Sequence, residues 1–252
     1  MVQQGSPQTP SRLRQNQPGG KVAFGKKTDE DVEMDEFEED SAEETEETID
    51  SADESDFVDE WDELDAQDWR EDGPFDIDEV DLSVDDVERI DFGGLVLTPF
   101  EGMQMQLQVE AETNALQAIL IMHDQSGLEL SLFAAPASSS LISDIRLQMI
   151  ASTESAGGEV KLATGPFGTE IRRVLPMVNP EGKQVYHVSR TWFVQGPKWL
   201  LRGVVMGKAA MEEGISESTE LLYETFCNLV VNRGKEAMAP GQLIPLKLPA
   251  QA

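Results

Sequence analysis

The chain has 252 residues and a formal net charge of −30, a length that admits one or two domains. Its single cysteine, Cys227, excludes an intrachain disulfide and any cysteine-rich zinc site. No apolar run approaches the ~18 residues a membrane span needs, and the basic N-terminal stretch has no apolar h-region, so a cytoplasmic protein without membrane contact is expected.

The charge is unevenly placed. Residues 1–28 carry five Lys/Arg and no acid, residues 29–91 carry 33 Asp/Glu against Arg70 and Arg89, and residues 92–252 are nearly balanced at −4. A self-repelling acidic run with little to bury cannot offset its ordering entropy. The expected organisation is a disordered tail over 1–72 (basic and polar over 1–28, acidic over 29–72), an acidic linker over 73–91, and one domain over 92–252. A domain of that size buries roughly 70% of its unfolded surface.

Aromatic residues inside the acid run need a reason. Phe57, Trp61 and Leu64 are spaced i, i+4, i+7, one face of a helix, with Trp69 following. Ser55 would cap that helix, and Asp56 and Asp59 suit its positive end. An acidic helix with an aromatic stripe is suited to a partner's groove, which makes Phe57, Trp61, Leu64 and Trp69 candidate residues for an unknown protein partner. Packing back onto the chain's own domain is the equal alternative. Thr45 and Thr48, flanked by glutamates, are candidate phosphorylation sites. The run lacks the ligand spacing of a calcium loop, so no metal is expected, and its charge argues against direct nucleic-acid binding.

Beyond the tail, Leu95–Leu97 and the alternating Met103–Val109 read as strands, the latter with a glutamine face toward water. Ala115–Met122 and Leu128–Ala134 follow as a hairpin around Asp124–Gly127. Ser138–Ser140 offers caps for a helix carrying Leu141, Ile142, Ile145 and Met149, stopped at Gly157-Gly158. Strands at Glu159–Ala163, Glu170–Met177, Val185–Val194 and Trp199–Met206 come next, with turns at Asn179–Gly182 and Gly196-Pro197. A helix over Ser216–Asn232, with Leu222, Phe226, Leu229 and Val230 inward, precedes an extended, proline-punctuated end. The fold class expected is α+β: one curved antiparallel sheet with two helices covering a face.

Phosphate loops, dinucleotide fingerprints, nucleophile elbows and His-Glu-x-x-His are all missing from the sequence. His123 and His187 have no placed nucleophile beside them, and Cys227 reads as a small hydrophobe. No catalytic residue and no cofactor are assigned. Arginines on strands are the suggestive feature: Arg172, Arg173, Arg190 and Arg202. Arg172 and Arg173 must face opposite ways. Arg190 and Arg202, with His187, are the candidate anion-binding face, which the acidic tail is expected to cover transiently.

The run Ser189-Arg190-Thr191-Trp192-Phe193-Val194-Gln195-Gly196-Pro197-Lys198-Trp199-Leu200-Leu201-Arg202-Gly203 closely resembles the hallmark of an actinobacterial family catalogued as domain of unknown function 3710. Gln195 and Lys198 stand where that family usually has Asp and Arg. Gly73-Pro74-Phe75-Asp76, Gly165-Pro166-Phe167-Gly168 and Met238-Ala239-Pro240 with Leu243-Ile244-Pro245-Leu246 also resemble it. The resemblance spans about 73–249 and implies a cytoplasmic actinobacterial protein without an assigned activity. The layout is loosely similar to Mog1/PsbP-like domains, mostly binding modules, an analogy of fold alone. The expected function is a non-enzymatic binding or regulatory module whose acidic, Trp-containing tail engages a partner or its own domain. The alternative is a small anionic-ligand-binding or enzymatic domain using the Arg190/Arg202/His187 face.

Overall fold

Strand periodicity dominates the architecture. The computed structural model describes residues 60–249, and Thr45, Thr48, Ser55 and Phe57 lie outside them. The main sheet has seven antiparallel strands in the order β4-β5-β6-β10-β9-β8-β7. Its strands are β4 (Gln104–Val109), β5 (Leu116–His123), β6 (Ser126–Ala134), β7 (Glu159–Gly165), β8 (Gly168–Val178), β9 (Gln184–Gly196) and β10 (Trp199–Gly207). Two meanders, one of three strands and one of four, are joined through helix α2 (Ile142–Ser155), and β10 returns to pair with β6.

A smaller sheet lies beside it, in the order β1-β11-β3-β2. It is built from β1 (Phe75–Asp76), β2 (Ile90–Asp91), β3 (Leu95–Leu97) and β11 (Val230–Val231). Leu95–Leu97 therefore belongs to this second sheet, not to the expected N-terminal one. Residues 73–91, read from sequence as a linker, supply two of its strands, so the folded unit begins earlier than charge suggested. It begins earlier still at α1 (Glu60–Asp65), inside the stretch assigned to the tail.

Two further short elements were not anticipated: a 3-10 turn at Ile77–Glu79, boxed by Asp76 and Glu79, and α3 (Lys208–Met211). The last helix, α4 (Glu217–Cys227), stops five residues before the expected Asn232. Val230 and Val231 leave it to pair with β3 and β1, where β-branched side chains fit a pleated surface.

The helices cover opposite faces of the main sheet, not one. Ile171, Phe193 and Leu200 meet α2, whereas Trp192, Val194 and Leu201 join the larger core with Leu222 and Phe226 of α4. This is why β9 reads Trp192-Phe193-Val194 without alternation: a strand buried on both faces is apolar throughout. On the α4 side Phe226 lies 4.8 Å from Phe167 and 5.7 Å from Trp192, ring to ring. Burying each such side chain contributes about 1.5–3 kcal/mol.

Two of the family-like motifs meet in space. The Trp199 indole N–H donates to the buried carboxylate of Asp76 at 2.7 Å, and the Arg70 guanidinium lies over the same ring at 5.4 Å. The C-terminal motif runs as an extended strap, its Ile244 and Leu246 amides donating to Leu132 and Leu116.

Candidate functional site

Strand parity sorts the arginines. Arg190 pairs in register with Arg172 and Val205 on the α4-covered face. Its guanidinium is 1% exposed, Nε donating to Glu170 at 2.9 Å and the other nitrogens to the carbonyls of Ala209, Glu212 and Gly214. Glu170, fully buried, also accepts from Arg172 Nε and from the Trp192 indole, each at 2.7 Å. This network fastens the α3–α4 connection to the sheet. Arg190 is committed there and is not free to take an external anion, which corrects the expectation for it.

Arg202 stands on the other face, opposite Phe193. His187 shares that face but lies opposite Leu175, six residues along β9 from Phe193 and so about 20 Å away along the strand. The expected triad is thus split: Arg190 faces α4, and His187 and Arg202 are far apart. Parity was readable in the sequence, because 187 and 190 differ by an odd number.

What joins Arg202 is a residue that sequence reasoning set aside. Arg173 is opposite Ser189 on the same α2-covered face, and Thr191 lies between Ser189 and Phe193 on β9. Among the described residues, the buried side-chain polar atoms without a hydrogen-bond partner are Arg173 Nε, Ser189 Oγ, Thr191 Oγ1 and Arg202 Nε. All four belong to this one patch on three adjacent strands. Ser189 and Thr191 are completely buried. Burial, and secondarily the charge of Arg202, pull the Arg173 guanidinium below its ordinary pKa. Burial also lowers Arg202, with Glu129 offsetting part of the effect.

Arg202 is only loosely held: Nη2 is 3.6 Å from Glu129 and 3.3 Å from the Ser131 hydroxyl, and its guanidinium lies 5.2 Å from the Phe133 ring. It lines a cavity of about 470 Å³ beside α2, walled by Phe133, Leu141, Ile145, Met149 and Phe193 and bordered by Asp144.

The other flank of α2 is occupied by the acidic segment. Arg146, 2% exposed, donates to Asp65 and Asp62 at 2.5 Å each. Asp65 also accepts the Thr169 amide at 2.7 Å. The Trp69 indole closes the segment by donating to the Leu64 carbonyl at 2.8 Å and packs against the large core. Trp61, Leu64 and Trp69 are all half-buried, Trp61 accepting from the Thr169 hydroxyl through its carbonyl at 3.5 Å. Among the described residues, Arg146 is the α2 arginine that meets Asp62 and Asp65. Its signal was in the sequence: it is the only Lys or Arg between Arg89 and Lys161, and it sits one turn from Ile142 on the helix's apolar stripe.

Burial pushes the Cys227 thiol up, and the Tyr223 phenol, hydrogen-bonded to that thiol, is pushed up to about 12. His123 Nδ1 lies 3.8 Å from the exposed Asp124 carboxylate. Among the described residues no helix is long and apolar enough to cross a membrane.

A family model described as "Protein of unknown function (DUF3710)" matches residues 73–252. No curated protein matches the chain. Among solved structures, it is similar to cyanobacterial PsbP (CyanoP) from Synechocystis sp. PCC 6803, with 8% identity and a TM-score of 0.33 over 61% of this chain and 98% of that one. It is also similar to a protein from Bacteroides thetaiotaomicron VPI-5482, with 14% identity and a TM-score of 0.33 over 56% of this chain and 46% of that one.

Proposed function

The chain belongs to the family of proteins of unknown function DUF3710, and we propose that it is a non-enzymatic binding and regulatory module whose acidic, tryptophan-bearing segment engages its own domain. One observation carries this reading: Arg146, nearly inaccessible to solvent, holds both Asp62 and Asp65. Asp62 and Asp65 lie outside the matched 73–252, whereas Arg146 lies inside it. An arginine buried in α2 is costly unless paired, and its partners come from the segment that precedes the matched region. The placement of Cys227, Tyr223 and His123 supports a role without covalent or acid–base chemistry. A partner that presents its own acidic segment to Arg146 would have to displace residues 60–69.

The Thr169 amide reports the docking directly, because its acceptor is the Asp65 carboxylate. Hydrogen exchange on the full chain should show this amide protected in the wild type and exposed in Asp65→Ala. Arg146→Met should loosen it as well. Equal exchange in wild type and Asp65→Ala would mean that the segment does not dock, and the reading fails.

A further inference from the structure

We propose that the α2-covered face of the sheet is a binding site for an amphipathic monocarboxylate, whose head group lies between Arg173 and Arg202 and whose apolar body fills the cavity beside α2.

Charge on this face is unbalanced. Arg173 is half-buried, its Nε is cut off from solvent without a partner, and among the described residues no carboxylate lies within ion-pair distance of it. A guanidinium drawn out of water is tolerated when an anion and hydrogen-bond acceptors replace the water. Here the nearest influence is another cation, Arg202, which worsens its position. The structure does the opposite on the other face of the same strands, where Glu170 and three carbonyls satisfy Arg190 completely. One face is finished, and on the other the Nε groups of Arg173 and Arg202 lack an acceptor.

The orphaned groups also share one chemistry. Arg173 Nε and Arg202 Nε can only donate, and the hydroxyls of Ser189 and Thr191 can donate as well. Two cationic donors that cannot accept, with two completely buried hydroxyls free to turn their protons toward the same acceptor, are complementary to an oxyanion. Guanidinium edges suit the planar fork of a carboxylate.

Charge in the neighbourhood selects the head group. Glu129, 3.6 Å from Arg202, offsets part of one positive charge, and Asp144 borders the cavity. A single negative charge is matched by what remains. A phosphate dianion would meet Glu129 and Asp144 as like charges. The walls select the rest of the molecule: Phe133, Leu141, Ile145, Met149 and Phe193 are apolar, and a volume of about 470 Å³ is within the usual range for small-ligand sites. The inference is independent of the docked acidic segment, because Arg146 and Thr169 are not part of the site.

Decanoate, decanol and inorganic phosphate added to the full-length protein test each part of the proposal. Decanoate should shift the Nε–H resonances of Arg173 and Arg202 and raise the melting temperature, whereas decanol and phosphate should do neither. Arg173→Met should weaken decanoate binding more than about tenfold, as expected for loss of a charge-assisted contact. In the absence of ligand the same variant should melt no lower than wild type, because it removes an unpaired buried charge. That result separates a ligand contact from a structural one, since a structural arginine would lower the melting temperature when removed. Ser189→Ala with Thr191→Val gives a second variant, which should fold normally and bind decanoate more weakly. The proposal is overturned if decanoate does not bind, if Arg173→Met binds it as well as wild type, or if phosphate or decanol binds as tightly.

Discussion

Glu170 and Arg173, on the same strand, are opposite cases of a buried charge. Glu170 has no exposed surface and accepts from Arg190, Arg172 and Trp192. Glu170→Gln keeps the shape but leaves Arg190 without its counter-charge. Breaking one partner of a buried pair typically costs about 3–5 kcal/mol, so a urea or thermal melt of this variant should show a loss of that size. The Tyr223–Cys227 pair gives a prediction with a definite direction in pH. Both groups titrate higher in the folded protein than in the unfolded one, Tyr223 from 10.0 to about 12. Below the unfolded value both states hold the proton and stability is unaffected. Between that value and the folded one, only the unfolded chain releases it, so stability falls as pH rises through this window. Tyr223→Phe should flatten the decline between roughly pH 10 and 12 relative to wild type.

Among the elements, the β9–β10 hairpin depends most visibly on single residues. Pro197 and Lys198 form its two-residue turn, Lys198 at φ 63°, where a proline followed by a positive φ is favourable. Gly196 has no tolerance for a side chain, because a Cβ there would lie 2.1 Å from the Trp199 ring. That ring is fixed in turn by Asp76, so Gly196→Ala must displace the hairpin or the smaller sheet. A drop in melting temperature comparable to that of a core truncation is expected, and an unchanged one would mean that Trp199 can move freely. Such local features were legible in the sequence: turn residues at Asp124 and Gly196, the period of two in Gln104–Val109, and the helix stop at Gly157-Gly158 all lie where expected. The end of α4 was not legible. Leu229 and Val230 continue a helical apolar spacing, and only their long-range pairing with β3 and β1 shows that the chain has turned extended. The candidate site was legible in part. Arg202 was identified, but Arg173 gained its meaning only when register placed it beside Ser189, and Arg190 lost its own when Glu170 was found beneath it.

For the molecule as a whole, the net charge of −30 sets the acidic N-terminal region against itself, and composition alone predicted that all of residues 1–72 would stay outside the fold. Residues 60–72 instead belong to the fold, because Asp62, Asp65 and Trp69 have specific places to go: a buried arginine, a backbone amide and the core. Two truncations resolve the contributions. A chain starting at Glu54 keeps every one of these contacts and sheds like charges, so its stability should match or exceed that of the full chain at low salt, where self-repulsion is least screened. A chain starting at Gly73 strips the nearly inaccessible Arg146 of Asp62 and Asp65, and removing the partners of a buried charge typically costs about 3–5 kcal/mol. The part of this second loss that comes from the sheltered Arg146–Asp65 pair should persist at high salt, because such a pair is screened far less than surface charges. Melts of the three chains at low and high ionic strength measure both effects. If the Gly73 chain were as stable as the Glu54 chain, Arg146 would have no need of its acids, and the docked segment could not hold α2 in place.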